Sequence, residues 1–92
     1  MDHHPYDFTR LNCKQHNVTQ NEVLEALGDV YSADFDMGHC GGNDRVMTVG
    51  ATRTGRLLEI GIEIEGETFY IFHAMNAGKE AIKRSRYERQ TT

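Results

Sequence analysis

Leu58-Glu59-Ile60-Gly61-Ile62-Glu63-Ile64-Glu65 alternates aliphatic residues with polar or small ones without a break. Successive side chains of a strand point to opposite faces, so this octet demands a strand with one buried and one wet face. On a helix the same four aliphatics would scatter around the circumference. The rest of the chain must therefore be arranged around a sheet. Gly66 supplies a turn, and Glu67 to Ala74 reads as the next strand. Upstream, Arg45 to Ala51 reads as another strand, closed by the turn Thr52-Arg53-Thr54-Gly55. Val30-Tyr31-Ser32-Ala33-Asp34-Phe35 is a further run with period two. Between these last two, residues 36–44 carry Gly38, Gly41 and Gly42 and read as a long mobile loop. Tyr6 and Phe8 alternate with polar neighbours, as a short strand or an extended anchor onto the core would.

Two helices complete the pattern. Thr19 followed three positions later by Glu22 is a capping box, and Val18 ahead of it can staple onto Val23. Val23, Leu24 and Leu27 form an apolar stripe and Gly28 follows, which predicts a helix over about residues 19–27. Ala77, Ala81 and Ile82 open a last helix whose other positions are largely charged. The expected fold is α+β: a four-stranded antiparallel meander carrying an N-terminal helix and a basic C-terminal helix. With 92 residues and no linker or repeat, one domain over residues 1–92 is expected.

Charge and cysteine usage narrow the setting. Residues 1–75 carry five Lys and Arg against twelve Asp and Glu, a net of −7; residues 76–92 carry five against two, a net of +3. Such a tail can meet a polyanion that the acidic body repels, or it can simply complement the dipole of its own helix. No window approaches the roughly 18 apolar residues of a membrane span, and Met1 to Pro5 is polar with no apolar segment behind it. A cytoplasmic protein is expected, with both Cys13 and Cys40 as free thiols.

Several segments, in order, resemble one family. Asn12-Cys13-Lys14-Gln15-His16-Asn17-Val18-Thr19, then Glu22 and Val23, is similar to the Asn-x-x-Lys-His-Gly-Val-Ser opening of the BrnT family. The likeness continues through Ala26-Leu27-x-Asp29 and Val49-Gly50-Ala51-Thr52-Arg53-Thr54-Gly55-Arg56-Leu57-Leu58. It ends in Ile71-Phe72-His73-Ala74-Met75-Asn76-Ala77, Glu80 and Tyr87, so it spans about residues 8–88. The family comprises small ribonuclease toxins of type II toxin–antitoxin systems with a RelE-like fold. The resemblance implies an RNA substrate, no cofactor, and a small antitoxin partner of ribbon-helix-helix type. Asn17 stands where the family has Gly, as a left-handed position would tolerate. Met75 stands where the family has Arg, in Ser-Ala-Arg, so two roles stay open. One is a toxin-type, metal-independent endoribonuclease; the other is a non-catalytic toxin-like module that serves as a protein partner.

Metal-free RNA cleavage needs a base for the 2′-OH, cations beside the phosphorane, and an acid for the leaving oxygen. His73 and His16 are the candidate acid–base groups, because histidine titrates near neutral pH. Arg56 is the third candidate catalytic residue, and Lys14, Arg53, Arg84 and Arg86 are candidate phosphate contacts. Tyr87 is placed to stack on a base or donate a proton. The bland alternatives are a locally bonded sheet histidine, a solvated turn arginine and a tyrosine closing the core. Cys13-x-x-His16 with His39-Cys40 makes a poor zinc set, since adjacent ligands cannot easily share one tetrahedral site, and no metal is expected. Glu59, Glu63 and Glu65 read as the solvated side of their strand. An open sheet face with free edges also leaves room for a second copy of the chain.

Overall fold

The computed structural model describes residues 5–12 and 16–88. Its elements are β1 (Tyr6–Asp7), α1 (Gln20–Leu27), β2 (Ala33–Cys40), β3 (Asn43–Ala51), β4 (Leu57–Glu65), β5 (Thr68–Asn76) and α2 (Lys79–Ser85). The sheet has five strands in the order β1-β5-β4-β3-β2. β2 to β5 form the antiparallel meander, but β1 adds a fifth strand parallel to β5, pairing Tyr6 with Phe69 and Asp7 with Tyr70. The expected four-stranded antiparallel sheet is thereby corrected to a mixed one. The alternation of Tyr6 and Phe8 hinted at a short strand, but so few residues cannot announce a partner, which lies more than sixty positions away. The expected basic C-terminal helix is also corrected: α2 has only seven residues and ends before Arg86, whose φ of 58° caps it. The structure thus carries two short helices.

The segment over residues 36–44, expected as a loop, is mostly strand. Gly41 and Gly42, with φ of 57° and 87°, make a two-residue hairpin turn that joins β2 directly to β3. Paired positive φ values match the right-handed twist of the strands, and glycine takes them without steric cost. At its start β2 is shorter than the sequence pattern indicates. Tyr31 N–H donates to Asp29 Oδ1 (3.0 Å) and Ser32 N–H to the Asp29 carbonyl (2.9 Å), so residues 29–32 turn and Val30 is 87% exposed.

α1 is capped as its sequence requires. Thr19 Oγ1 accepts from Glu22 N–H (3.1 Å) and Glu22 Oε1 accepts from Thr19 N–H (3.0 Å). Removing the cap with Thr19→Ala is expected to cost about 1 kcal/mol, read as a lower urea midpoint at unchanged slope. Val18, Val23 and Ala26 pack on Leu58, Ile60, Ile62, Ile71 and Ala74, which form the main core. The α1 backbone lies against β3 at Gly50, where an added Cβ would fall 2.1 Å from the Ala26 carbonyl oxygen.

The opposite face is not simply wet. Met47 and Val49 on that side are buried, because α2 covers it over β2 and β3, while Thr48 and Gly50 between them face α1. Arg84 lies over the Phe35 ring at 4.4 Å, and Gly78 N–H donates to Glu59 (2.8 Å). Helices therefore sit on both faces of the sheet.

Candidate acid–base site at the β5 edge

An irregularity in β5 creates the site. Glu65 pairs with Thr68 and Ile62 with Ile71, but Gly61 pairs with His73, so Phe72 is an extra residue. A regular ladder would place His73 opposite Ile60, on the core face under α1. The bulge instead turns His73 to the side of Glu59, as bulges commonly re-aim a side chain. His73 Nε2 lies 2.9 Å from Glu59 Oε2, with the imidazole 28% exposed. The other Glu59 oxygen accepts the Gly78 N–H, the cap of α2. A carboxylate fixed in this way favours the proton on His73 Nε2 and leaves Nδ1 as the basic nitrogen.

His16 reaches the same place from the segment that precedes α1. Its ring centroid is 6.2 Å from that of His73, at an interplanar angle of 67°. Asn17 has a φ of 53°, the left-handed conformation the sequence suggested, and it turns the chain from His16 into the cap. Arg56 holds this turn in place. Its Nε donates to Asn76 Oδ1 (2.6 Å), its Nη1 to the Asn17 carbonyl (3.0 Å) and Glu22 (3.1 Å), and its Nη2 to the His16 carbonyl (3.3 Å). A guanidinium so engaged is a clamp between the β3–β4 turn, the approach to α1 and the end of β5. Arg56 thus acts as a positioning residue. By register Met75 lies opposite Glu59, on the same face as His73.

The remaining candidates divide. Lys14 lies outside the described residues, as does Cys13. Arg53 and Tyr87 line a separate groove of about 440 Å³ with Glu25, Asp29 and Tyr31. There Tyr87 Oη donates to Asp29 Oδ2 (2.6 Å), which also accepts the Ala51 N–H (2.9 Å). Arg84 is engaged with Phe35, and Arg86 is exposed at the end of α2. No group of three His, Cys, Asp or Glu among the described residues converges as a metal site would.

Glu59 and Glu63, expected on the solvated side of their strand, are instead held by partners on that face, Glu63 being buried, and sequence reasoning passed over Asn76. Glu63 is the hub of the face: it accepts from Asn43 Nδ2 (3.0 Å), Arg45 Nε (2.8 Å) and Arg10 Nη1 (3.2 Å). Those hydrogen bonds, from Asn43 first and then Arg45, hold its carboxyl below the ordinary glutamate value of 4.5. Glu22 is also lowered, chiefly by the Thr19 backbone N–H and then by Arg56. A depressed folded-state pKa contributes stability that is present above the unfolded value and lost as pH falls through the folded one. Urea midpoints are therefore expected to fall as pH drops below about 4.5, and Glu63→Gln should flatten that fall. An unchanged pH profile in the variant would remove Glu63 from this role. Across the described residues, no helix is long and apolar enough to cross a membrane. No protein-family model matches the sequence, and no curated protein is significantly similar to it.

Proposed function

We propose that this protein is a toxin-type ribonuclease that cuts RNA without a metal, in the cytoplasm, and is neutralised by a small antitoxin protein of ribbon-helix-helix type. One observation carries the reading: two imidazoles face each other at 6.2 Å on a partly exposed strand edge, one of them anchored by a carboxylate. An acid and a base at this separation suit transfer within RNA. His73 Nδ1 takes the proton of the 2′-OH, and the resulting oxygen attacks the adjacent phosphorus. The P–O5′ bond breaks as protonated His16 gives its proton to the departing oxygen. The products are a 2′,3′-cyclic phosphate and a free 5′-OH. Lys14, two positions before His16 in the sequence, is the cation assigned to the phosphate.

The test is incubation of purified protein with single-stranded RNA in excess EDTA, followed by analysis of the new ends. Cyclic phosphate ends that disappear in His73→Ala support the proposal. Intact RNA at high protein concentration, or cutting that survives loss of either histidine, would defeat it.

A second reading has its own support. Arg56 is saturated by protein acceptors, and neutral Met75 occupies the position on the His73 face where the family's Arg stands. Both features fit a non-catalytic module that keeps the toxin-like surface for a protein partner. Intact RNA together with stable capture of a small DNA-binding protein would favour it.

A further inference from the structure

α1 covers only part of its side of the sheet. A helix of eight residues is about 12 Å long and about 10 Å wide, whereas five strands of this length span roughly 20 by 30 Å. The cross-strand register shows which part is left. α1 crosses β3 at Gly50, over the row that contains Leu58. Beyond it, two rows run across the sheet: Asp36-Val46-Ile62-Ile71, in which Ile62 and Ile71 are already buried in the core, and His39-Asp44-Ile64-Phe69. Between them and Leu27, the last residue of α1, lies a groove of about 240 Å³. Val46, Ile64 and Phe69 are only half-buried there, while Tyr6 packs on Phe69 with ring centroids 5.9 Å apart.

The β2–β3 edge of this groove is largely acidic, with His39 Nδ1 set against Asp44 Oδ1 (2.6 Å). Asp34, Asp36 and Asp44 lie on the same face by register, all exposed, and no Lys or Arg of β2 to β5 shares that face. We infer that the half-buried Val46, Ile64 and Phe69 beside α1, rimmed by these aspartates, are a docking surface for an amphipathic helix of a partner protein whose polar edge is rich in Lys and Arg. Such a helix would lie beside α1 and complete a two-helix layer over the sheet, the ordinary way an open sheet face is covered. Charge selects the occupant. A second copy would bring an equally acidic rim, and RNA would bring phosphates against it. β2 itself is poorly suited to adding a strand, because a bulge interrupts it between Asp36 and Gly38 and its edge carries charge.

This inference gives the proposed protein partnership a surface and a chemistry, and it stands apart from RNA cleavage. The probe is a fluorescein-labelled 18-residue amphipathic helix of Leu and Lys, with a Leu/Glu peptide of the same pattern as control. Anisotropy is expected to show binding of the cationic peptide alone, weakening with salt. Amide shifts should map to Val46, Ile64 and Phe69. Asp34→Lys combined with Asp36→Lys should weaken binding about tenfold, as reversing rim charges disfavours a cationic partner. Ile64→Glu should do the same through the apolar floor. His73→Ala should bind like the parent chain, so loss of cleavage and loss of docking are read separately. Equal binding of both peptides, or shifts confined to the Glu63 face, would overturn the proposal. So would concentration-dependent dimerisation abolished by Ile64→Glu, which would make the occupant a second copy.

Discussion

Gly50→Ala is expected to destabilise the protein by about 3 kcal/mol or more, at the upper end of what overpacking costs. The cause is local and backbone-to-backbone. A Cβ at this position would stand 2.1 Å from the Ala26 carbonyl oxygen and 2.9 Å from its carbon. No rotamer change relieves such a contact, so α1 must lift from β3. Lifting it opens Val23 and Ala26, both fully buried, from Leu58 and Ile60. A domain of this size has only about 5–15 kcal/mol to lose in total, so the melting temperature should fall by about 12 °C or more. Gly28→Ala serves as control, since its Cβ would meet the nearest atom at an ordinary 3.4 Å. A shift of less than about 1 kcal/mol for Gly50→Ala would mean that α1 does not pack this closely on β3.

His73→Ala and His16→Ala are each expected to lower the rate of RNA cleavage by about 10²–10⁴-fold, the usual contribution of a positioned acid or base. The double variant should fall little further, because two groups that act in one proton relay are not additive. Glu59→Gln should cost less. Its amide still meets His73 Nε2 but no longer fixes the ring as a carboxylate does, so the rate should fall by less than in His73→Ala. A rate unchanged by both histidine substitutions would leave the non-catalytic reading.

Some of this architecture could be read from the chain and some could not. The alternation at Leu58–Glu65 and the Thr19/Glu22 box identify β4 and α1 because each is a local pattern with one physical solution. The β2–β3 hairpin was hidden by its own composition, since Asp36 to Asp44 has the polarity of a loop and only the paired Gly41-Gly42 hints at a tight turn. Met47 to Gly50 did carry a signal of two-sided burial: a run of uncharged residues without alternation belongs under cover on both faces. The candidate site was legible in its members but not in its assembly. His73 and His16 stand out as types, yet their meeting depends on one extra residue at Phe72 and on a clamp from Arg56, neither of which has a pattern in the sequence. Glu59 was hidden for the same reason, because without the bulge it would have no histidine beside it.

The parallel β1–β5 pairing has a consequence for the order of assembly. β2 to β5 are joined by short turns, so their ladders close over small separations, with little loss of chain entropy. Tyr6 with Phe69 and Asp29 with Tyr87 are contacts that close loops of about sixty residues, and they gain nothing until the meander exists. The contacts of Tyr6 and Tyr87 are therefore made after the central hairpins. They are also the first to be released, so transient opening begins at these two long-range contacts while the central hairpins stay zipped.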